Sequence, residues 1–179
     1  MDFFKKHSKI WGIILAIGIS IAIFIFRDQL VELKGYGLLG LFVLNILGSA
    51  TIFLPTPLFL TAFVAGAIFN PFLVAVIASL GSAIGELTGY MAGYGAEDIL
   101  EKEPKVQKVR GWMKKRGFWT LFLLAAIPNP IFDIAGFVAG ATEVPVKKYL
   151  IAVWLGKLIK FSAISYVGAH SVVFIDRFL

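Results

Sequence analysis

Leu54-Pro55-Thr56-Pro57-Leu58-Phe59 reappears as Ile127-Pro128-Asn129-Pro130-Ile131-Phe132, and the likeness continues beyond both segments. Phe63-Val64-Ala65-Gly66-Ala67 recurs identically as Phe137-Val138-Ala139-Gly140-Ala141, and Pro71 is matched by Pro145. Six of the seven prolines thus fall into three pairs, set about 74 residues apart. Shared hydrophobicity would not align prolines, so the chain is internally duplicated.

Each copy holds a Pro-x-Pro between short apolar arms. Two prolines remove two backbone donors and push the residues before them out of helix. As helices, Phe118–Ile127 and Ile131–Ala141 would each be roughly 16 Å long, half of a ~30 Å hydrocarbon layer. A hairpin that enters, turns at the Pro-x-Pro and leaves by the same face fits those lengths. Pro55, Pro57, Pro128 and Pro130 are then re-entrant turns, buried in protein or lining a wet cavity. One kinked spanning helix is the alternative, and it stays open for the first copy, where residues 36–54 alone are long enough to cross. A hairpin adds no net crossing and the helix after it adds one. Tandem copies therefore point opposite ways, as an inverted-topology repeat.

Composition agrees with a bilayer setting. Hydrophobic residues fill 59% of the 179 positions and mean hydropathy is +0.86, whereas a soluble domain is nearer half apolar and wears a charged coat. From Gly35 through Gly85 there is no Lys, Arg, Asp or Glu. The expected fold is an all-α polytopic membrane protein, with an added N-terminal transmembrane helix over Ile10–Phe26. That run, roughly 25 Å as a helix, lacks the small-x-small cleavage site of a signal peptide. The expected divisions are 1–34 (basic segment and anchor), 35–95 (first copy), 96–117 (charged amphipathic connector), 118–169 (second copy) and 170–179 (short tail).

Lys5, Lys6, Lys9, Lys102, Lys105, Lys108, Arg110, Lys114, Lys115, Arg116, Lys147 and Lys148 then share one side, leaving Arg27, Lys34 and Arg177 on the other. By the positive-inside rule the N-terminus is cytoplasmic. The net charge of +6 accordingly points to loops and anionic headgroups, and no nucleic-acid partner is expected. There is no cysteine, and the two histidines lie far apart, so neither metal nor cofactor is expected. No Ser/His/Asp set or phosphate-cradling glycine loop is present, which argues against an enzyme.

Gly81, Gly85, Gly89 and Gly93 recur every fourth residue along one helix face, the pattern of close backbone approach between membrane helices. Charges at membrane depth are costly and mark pathways, relays or internal pairs. Glu86, Asp133, Lys157 and Lys160 are such charges. Asp133, Asn129, Lys157 and Lys160 are transport candidates, the alternatives being a structural pair of Asp133 with Lys157 near mid-membrane and a Lys160 that snorkels to the outer interface. Glu86 is the leading transport candidate.

Gly81-x-x-x-Gly85-Glu86-x-x-x-Tyr90-x-x-Gly93 resembles the signature of DedA-type proteins, also called VTT-domain or SNARE-associated Golgi membrane proteins. The two Pro-x-Pro segments, with the Ala-Gly pairs after them, resemble that family's re-entrant segments. The likeness covers roughly 37–168 and adds Tyr90 to the transport candidates. Many bacterial members carry an acidic residue just after the first proline motif, where this chain has Leu58, Phe59 and Leu60. They also carry arginines around the second, where this chain has Ala125, Ala126 and Ile131, with Asn129 and Asp133 in the region instead. A divergent, compact member is implied.

The resemblance implies movement of a lipid between leaflets, as a lipid transporter or scramblase acting on phospholipid or polyprenyl-phosphate. It also implies a multi-pass location in a prokaryotic plasma membrane. Membrane lipids are the expected partners, and proton coupling and a homo-oligomer are compatible with that role. The competing expectation is a non-transporting scaffold that supports bilayer or envelope integrity.

Overall fold

The computed structural model describes residues 36–50, 58–95, 104–128 and 131–176. Among the described residues the regular elements are helices: α1 (Gly37–Ala50), α2 (Leu58–Ile68), α3 (Pro71–Gly85), α4 (Leu87–Gly95), α5 (Pro104–Ala126), α6 (Ile131–Ala141) and α7 (Val146–Asp176). The expected N-terminal transmembrane helix, the turn residues Pro55, Pro57 and Pro130, and Asn129 lie outside the described residues.

Two of the described helices are short. α2 and α6 are each 11 residues long, half the length a crossing needs. Asn70 starts α3 by accepting a 3.1 Å hydrogen bond from the Leu73 N–H, and Pro71 takes the first helical position, where a missing donor is harmless. α6 ends in a tight reversal: the Val144 N–H reaches the Ala139 carbonyl and the Glu143 N–H that of Gly140, both at 3.0 Å. Glu143 is left-handed there, at φ 52°, and the two bonds satisfy carbonyls that the helix end would otherwise orphan.

Three features differ from the sequence-based expectation. The helix after Pro71 is interrupted for one residue at Glu86, yet the Glu86 N–H still reaches Ser82 O and the Tyr90 N–H still reaches Glu86 O, each at 3.1 Å. Pro71–Tyr94 therefore remains one apolar path long enough to cross a bilayer, as does Val146–Ser171. The connector does not stop short of the second copy. It runs into the second copy's first arm as α5, with a break at Arg116 (φ −149°, ψ 57°). Before that break α5 is amphipathic, burying Val106, Val109 and Met113 while Lys108, Lys114 and Lys115 stay exposed. Lastly, α7 runs past Gly168 to Asp176, because no proline or glycine comes after it to stop it.

α3 and α7 pack together, α1 lies on α3, and α5 lies on α7. The half-helices cross over: α2 packs on α7, and α6 on α4. Glycines make these crossings close. Gly66 of α2 abuts the backbone of Ser165, and Gly168 abuts that of Phe63; Gly140 of α6 abuts Tyr90, and Gly93 abuts Phe137. Moving by the repeat spacing carries the first set of contacts onto the second. Each copy's half-helix is thus seated on the long helix of the other copy.

The stripe from Gly81 to Gly93 is not uniform. Gly81 faces Phe42 and Asn45, Gly85 faces Ile46 and Ser49, and Gly93 faces Phe137, but a Cβ at Gly89 would meet nothing within 4 Å. Among the described residues, Ala50 lies beside Gly85 and Phe137 lies against Gly93. Gly89 therefore has no packing role among the described residues, contrary to the four-residue pattern.

Size is sorted as it is in lipid. Ala62, Ala75, Ala78, Ala135, Ala139 and Ala152 are fully buried, while Leu39, Leu60, Ile68, Phe72, Ile159 and Val167 face outward. Small residues inside let backbones approach, and large apolar residues outside suit hydrocarbon.

Candidate functional site

The buried charge is concentrated where the two half-helices begin. α3 supplies Ser82 and, at its end, Glu86. α7 supplies Lys157 and Lys160, one turn apart, and the first turns of α2 and α6 supply Phe59, Phe132 and Asp133.

Lys157 donates to Glu86 Oε1 at 2.6 Å and to Ser82 Oγ at 2.6 Å. Ser82 is in turn hydrogen-bonded to Ser49 of α1, hydroxyl to hydroxyl. The Lys157 Nζ also lies 5.1 Å from the centroid of the Phe132 ring. An ammonium has three donors, and here a carboxylate, a hydroxyl and an aromatic face surround it. The side chains are only 5% (Lys157) and 13% (Glu86) exposed. An ion pair at such depth holds only when its geometry is good and its remaining donors are met.

The expected partnership of Lys157 with Asp133 is thereby corrected: Glu86 is the partner. Depth placed Asp133 and Lys157 at one level, but depth says nothing of azimuth. Under the repeat, Gly81 matches Gly156 and Ser82 matches Lys157, so Lys157 faces α3 as Ser82 faces α7. Asp133 instead projects from the first turn of α6 and is exposed. Among the described residues it has no hydrogen bond or ion pair, although Glu86, Lys157 and Lys160 all lie within its electrostatic reach.

Lys160 does not snorkel. It is 9% exposed, with its ammonium 5.4 Å from the Phe59 centroid and 5.9 Å from that of Phe132. It is too deeply tucked between the half-helices to reach an interface, and among the described residues no carboxylate is within ion-pair distance of it. Phe59 and Phe132 are matched residues of the duplication, each second in its half-helix.

Tyr90 is not part of this cluster. Its hydroxyl donates to the Val144 carbonyl at 2.6 Å and its ring meets Tyr149 at 4.9 Å. The matched residue Ser165 donates to the Pro71 carbonyl at 2.8 Å, so Tyr90 ties a long helix to the other copy's loop and Ser165 ties one to the first residue of the other copy's helix α3. Tyr149 in turn donates to the Glu86 backbone carbonyl at 3.2 Å. Ser49, Ser82, Phe59 and Phe132 do not stand out in the sequence alone. The repeat register, which sets Ser82 opposite Lys157 and Phe59 opposite Phe132, is the signal that could have found three of them.

A duplicated, half-helix-bearing bundle with its large apolar residues outward and an ion pair inside is a helical integral membrane protein. Comparison with known proteins places it further: the VTT domain matches residues 54–170, and the chain belongs to the VTT-domain, or DedA-type, family. An uncharacterized protein of Methanocaldococcus jannaschii is 31% identical over 147 residues, covering 76% of this chain and 87% of its own. Vacuole membrane protein KMS2 of Arabidopsis thaliana is 30% identical over 104 residues, 48% of this chain and 25% of its own. The uncharacterized membrane protein YhjE of Bacillus subtilis is 26% identical over 98 residues, 52% and 47% of the two chains. The match with the plant protein thus takes in only a quarter of that protein's length. No solved structure gives a significant match.

Proposed function

We propose that this protein moves lipid between bilayer leaflets, with the headgroup passing the charged cluster between the half-helices. One observation carries the proposal. Glu86, Asp133, Lys157 and Lys160 gather at one place, beside the first described turns of α2 and α6. Half-helices that begin at membrane depth aim their positive ends at such a site, as in many secondary transporters. The 11-residue lengths of α2 and α6 and their reciprocal seating support two re-entrant hairpins in an inverted repeat. The basic face of α5 supports a cytoplasmic N-terminus in a prokaryotic plasma membrane. Proton coupling would run through Glu86, the carboxylate that holds Lys157.

The non-transporting scaffold remains the second function, favoured by the closed geometry of Lys157, which is bonded to Glu86 and Ser82 and covered by the Phe132 ring. Reconstitution separates the two. The transporter carries fluorescent phospholipid across vesicles to a dithionite-accessible leaflet, and Glu86→Gln slows it. Vesicles that hold folded protein and show no rate above protein-free vesicles would refute transport.

A further inference from the structure

Asn45 of α1 is fully buried, yet its side chain is only half satisfied. The amide nitrogen donates to the Leu41 carbonyl at 2.9 Å, while Oδ1 accepts from no described residue. A buried amide oxygen without a donor is costly, and packing does not call for it. Gly81 meets Phe42 O and the Asn45 Cβ, and its repeat match Gly156 meets Phe122 O and the Ala125 Cβ. Alanine fills in the second copy the seat that asparagine takes in the first.

A hydroxyl proton is left over close by. Lys157 can only donate, so Ser82 accepts from it. That contact makes the Ser82 hydroxyl the stronger donor of the Ser49–Ser82 pair. Ser82 therefore gives its proton to Ser49, and the Ser49 proton has no acceptor among the described residues. Ser49 follows Asn45 by four positions, so the two share a face of α1 with Cβ atoms roughly 5–6 Å apart. Both pack on α3, Asn45 at Gly81 and Ser49 at Gly85.

We infer that a buried water molecule bridges the Asn45 amide oxygen and the Ser49 hydroxyl. Oδ1 needs a donor and the Ser49 proton needs an acceptor, and water supplies both at once. Two hydrogen bonds of about 2.8 Å through one oxygen span the separation of neighbouring turns. The Lys157 ammonium, 2.6 Å from Ser82, disfavours a cation here, and the lone pairs of Oδ1 disfavour an anion. A neutral ligand is what the site fits. With the water bound, hydrogen bonds run from Glu86 through Lys157, Ser82 and Ser49 to Asn45, and α1 helps to hold Lys157 at its partner. The water has this role whether or not the protein moves lipid.

The test uses the full chain, nitrogen-labelled and reconstituted in lipid bilayers, and solid-state NMR transfer of magnetisation from water protons. The Asn45 side-chain amide is assigned by its loss in Asn45→Ala. In the wild type its signal builds up severalfold faster than that of the Ala78 backbone amide, which is fully buried in α3. Ser49→Ala removes the bridge and brings the two build-up rates together. A wild-type Asn45 no faster than Ala78, or a fast rate that survives Ser49→Ala, would overturn the inference. Thermal unfolding gives a second readout. Asn45→Ala and Ser49→Ala each lower the melting temperature, and because they lose the same water the double variant melts no lower than the poorer single one. Losses that add in full would refute a shared water.

Discussion

Lys157→Met is expected to destabilise the protein by about 3–5 kcal/mol, because it strands Glu86 as an uncompensated charge. The contact is 2.6 Å long and both side chains are largely hidden from solvent. With an effective dielectric constant near 20, two unit charges at that separation attract by roughly 6 kcal/mol, and desolvation of both groups offsets much of this. Glu86→Gln costs less, because the amide oxygen can still accept from Lys157 although the charge is gone. The double variant removes both charges and recovers most of the loss, giving a coupling energy of about 2–3 kcal/mol. Reversible unfolding in mixed micelles measures all four proteins of the cycle. A second cycle, Asp133→Asn with Lys157→Met, serves as the control and should show coupling below about 0.5 kcal/mol. Equal coupling in the two cycles would refute the assignment of Glu86 as the partner, and with it the azimuth given to α7.

Packing and topology set three further outcomes. Gly93→Ala drives a methyl into the backbone of Phe137 and lowers the melting temperature, whereas the methyl of Gly89→Ala meets no described atom within 4 Å and lowers it less; equal effects would remove the distinction between the two sites. Tyr90→Phe and Ser165→Ala delete matched hydrogen bonds to the Val144 and Pro71 carbonyls and should each cost about 0.5–1.5 kcal/mol in thermal unfolding. Single cysteines at Ser8 and Lys108, read by impermeant maleimide on intact cells, should be protected and one at Lys34 labelled; Lys34 and Lys108 labelling together would defeat the inverted topology.

The parts of the fold that depend on backbone chemistry were legible in the sequence. Prolines and the repeated Phe-Val-Ala-Gly-Ala fix where α2 and α6 begin and how long they are, and charge-free runs mark what faces hydrocarbon. Direction around a helix was less legible. The four-residue period put Gly89 with Gly85 and Gly93, although no described neighbour comes within 4 Å of a Cβ there. Depth paired Lys157 with Asp133, although the long helices turn Lys157 toward Glu86. Lys160 was set free at the interface because nothing in a linear sequence shows two phenyl rings, 73 positions apart in the chain, closing over one ammonium. Partners of this kind depend on how the copies cross, and only the repeat register carries any trace of that.

The crossed seating of the half-helices also bears on how the protein is made. Gly66 of α2 needs the backbone of Ser165, and Gly168 needs Phe63, so the first copy cannot finish its own packing. At synthesis rates of about 5–20 residues per second, the ribosome takes on the order of 5–20 s to travel from one partner to the other. For that interval the small-residue face of α2 lacks α7, its main partner among the described helices. The insertion machinery, lipid or another protein must cover it until α7 arrives. Truncation ahead of Ser165 would leave that face permanently bare, a site for membrane quality control to recognise.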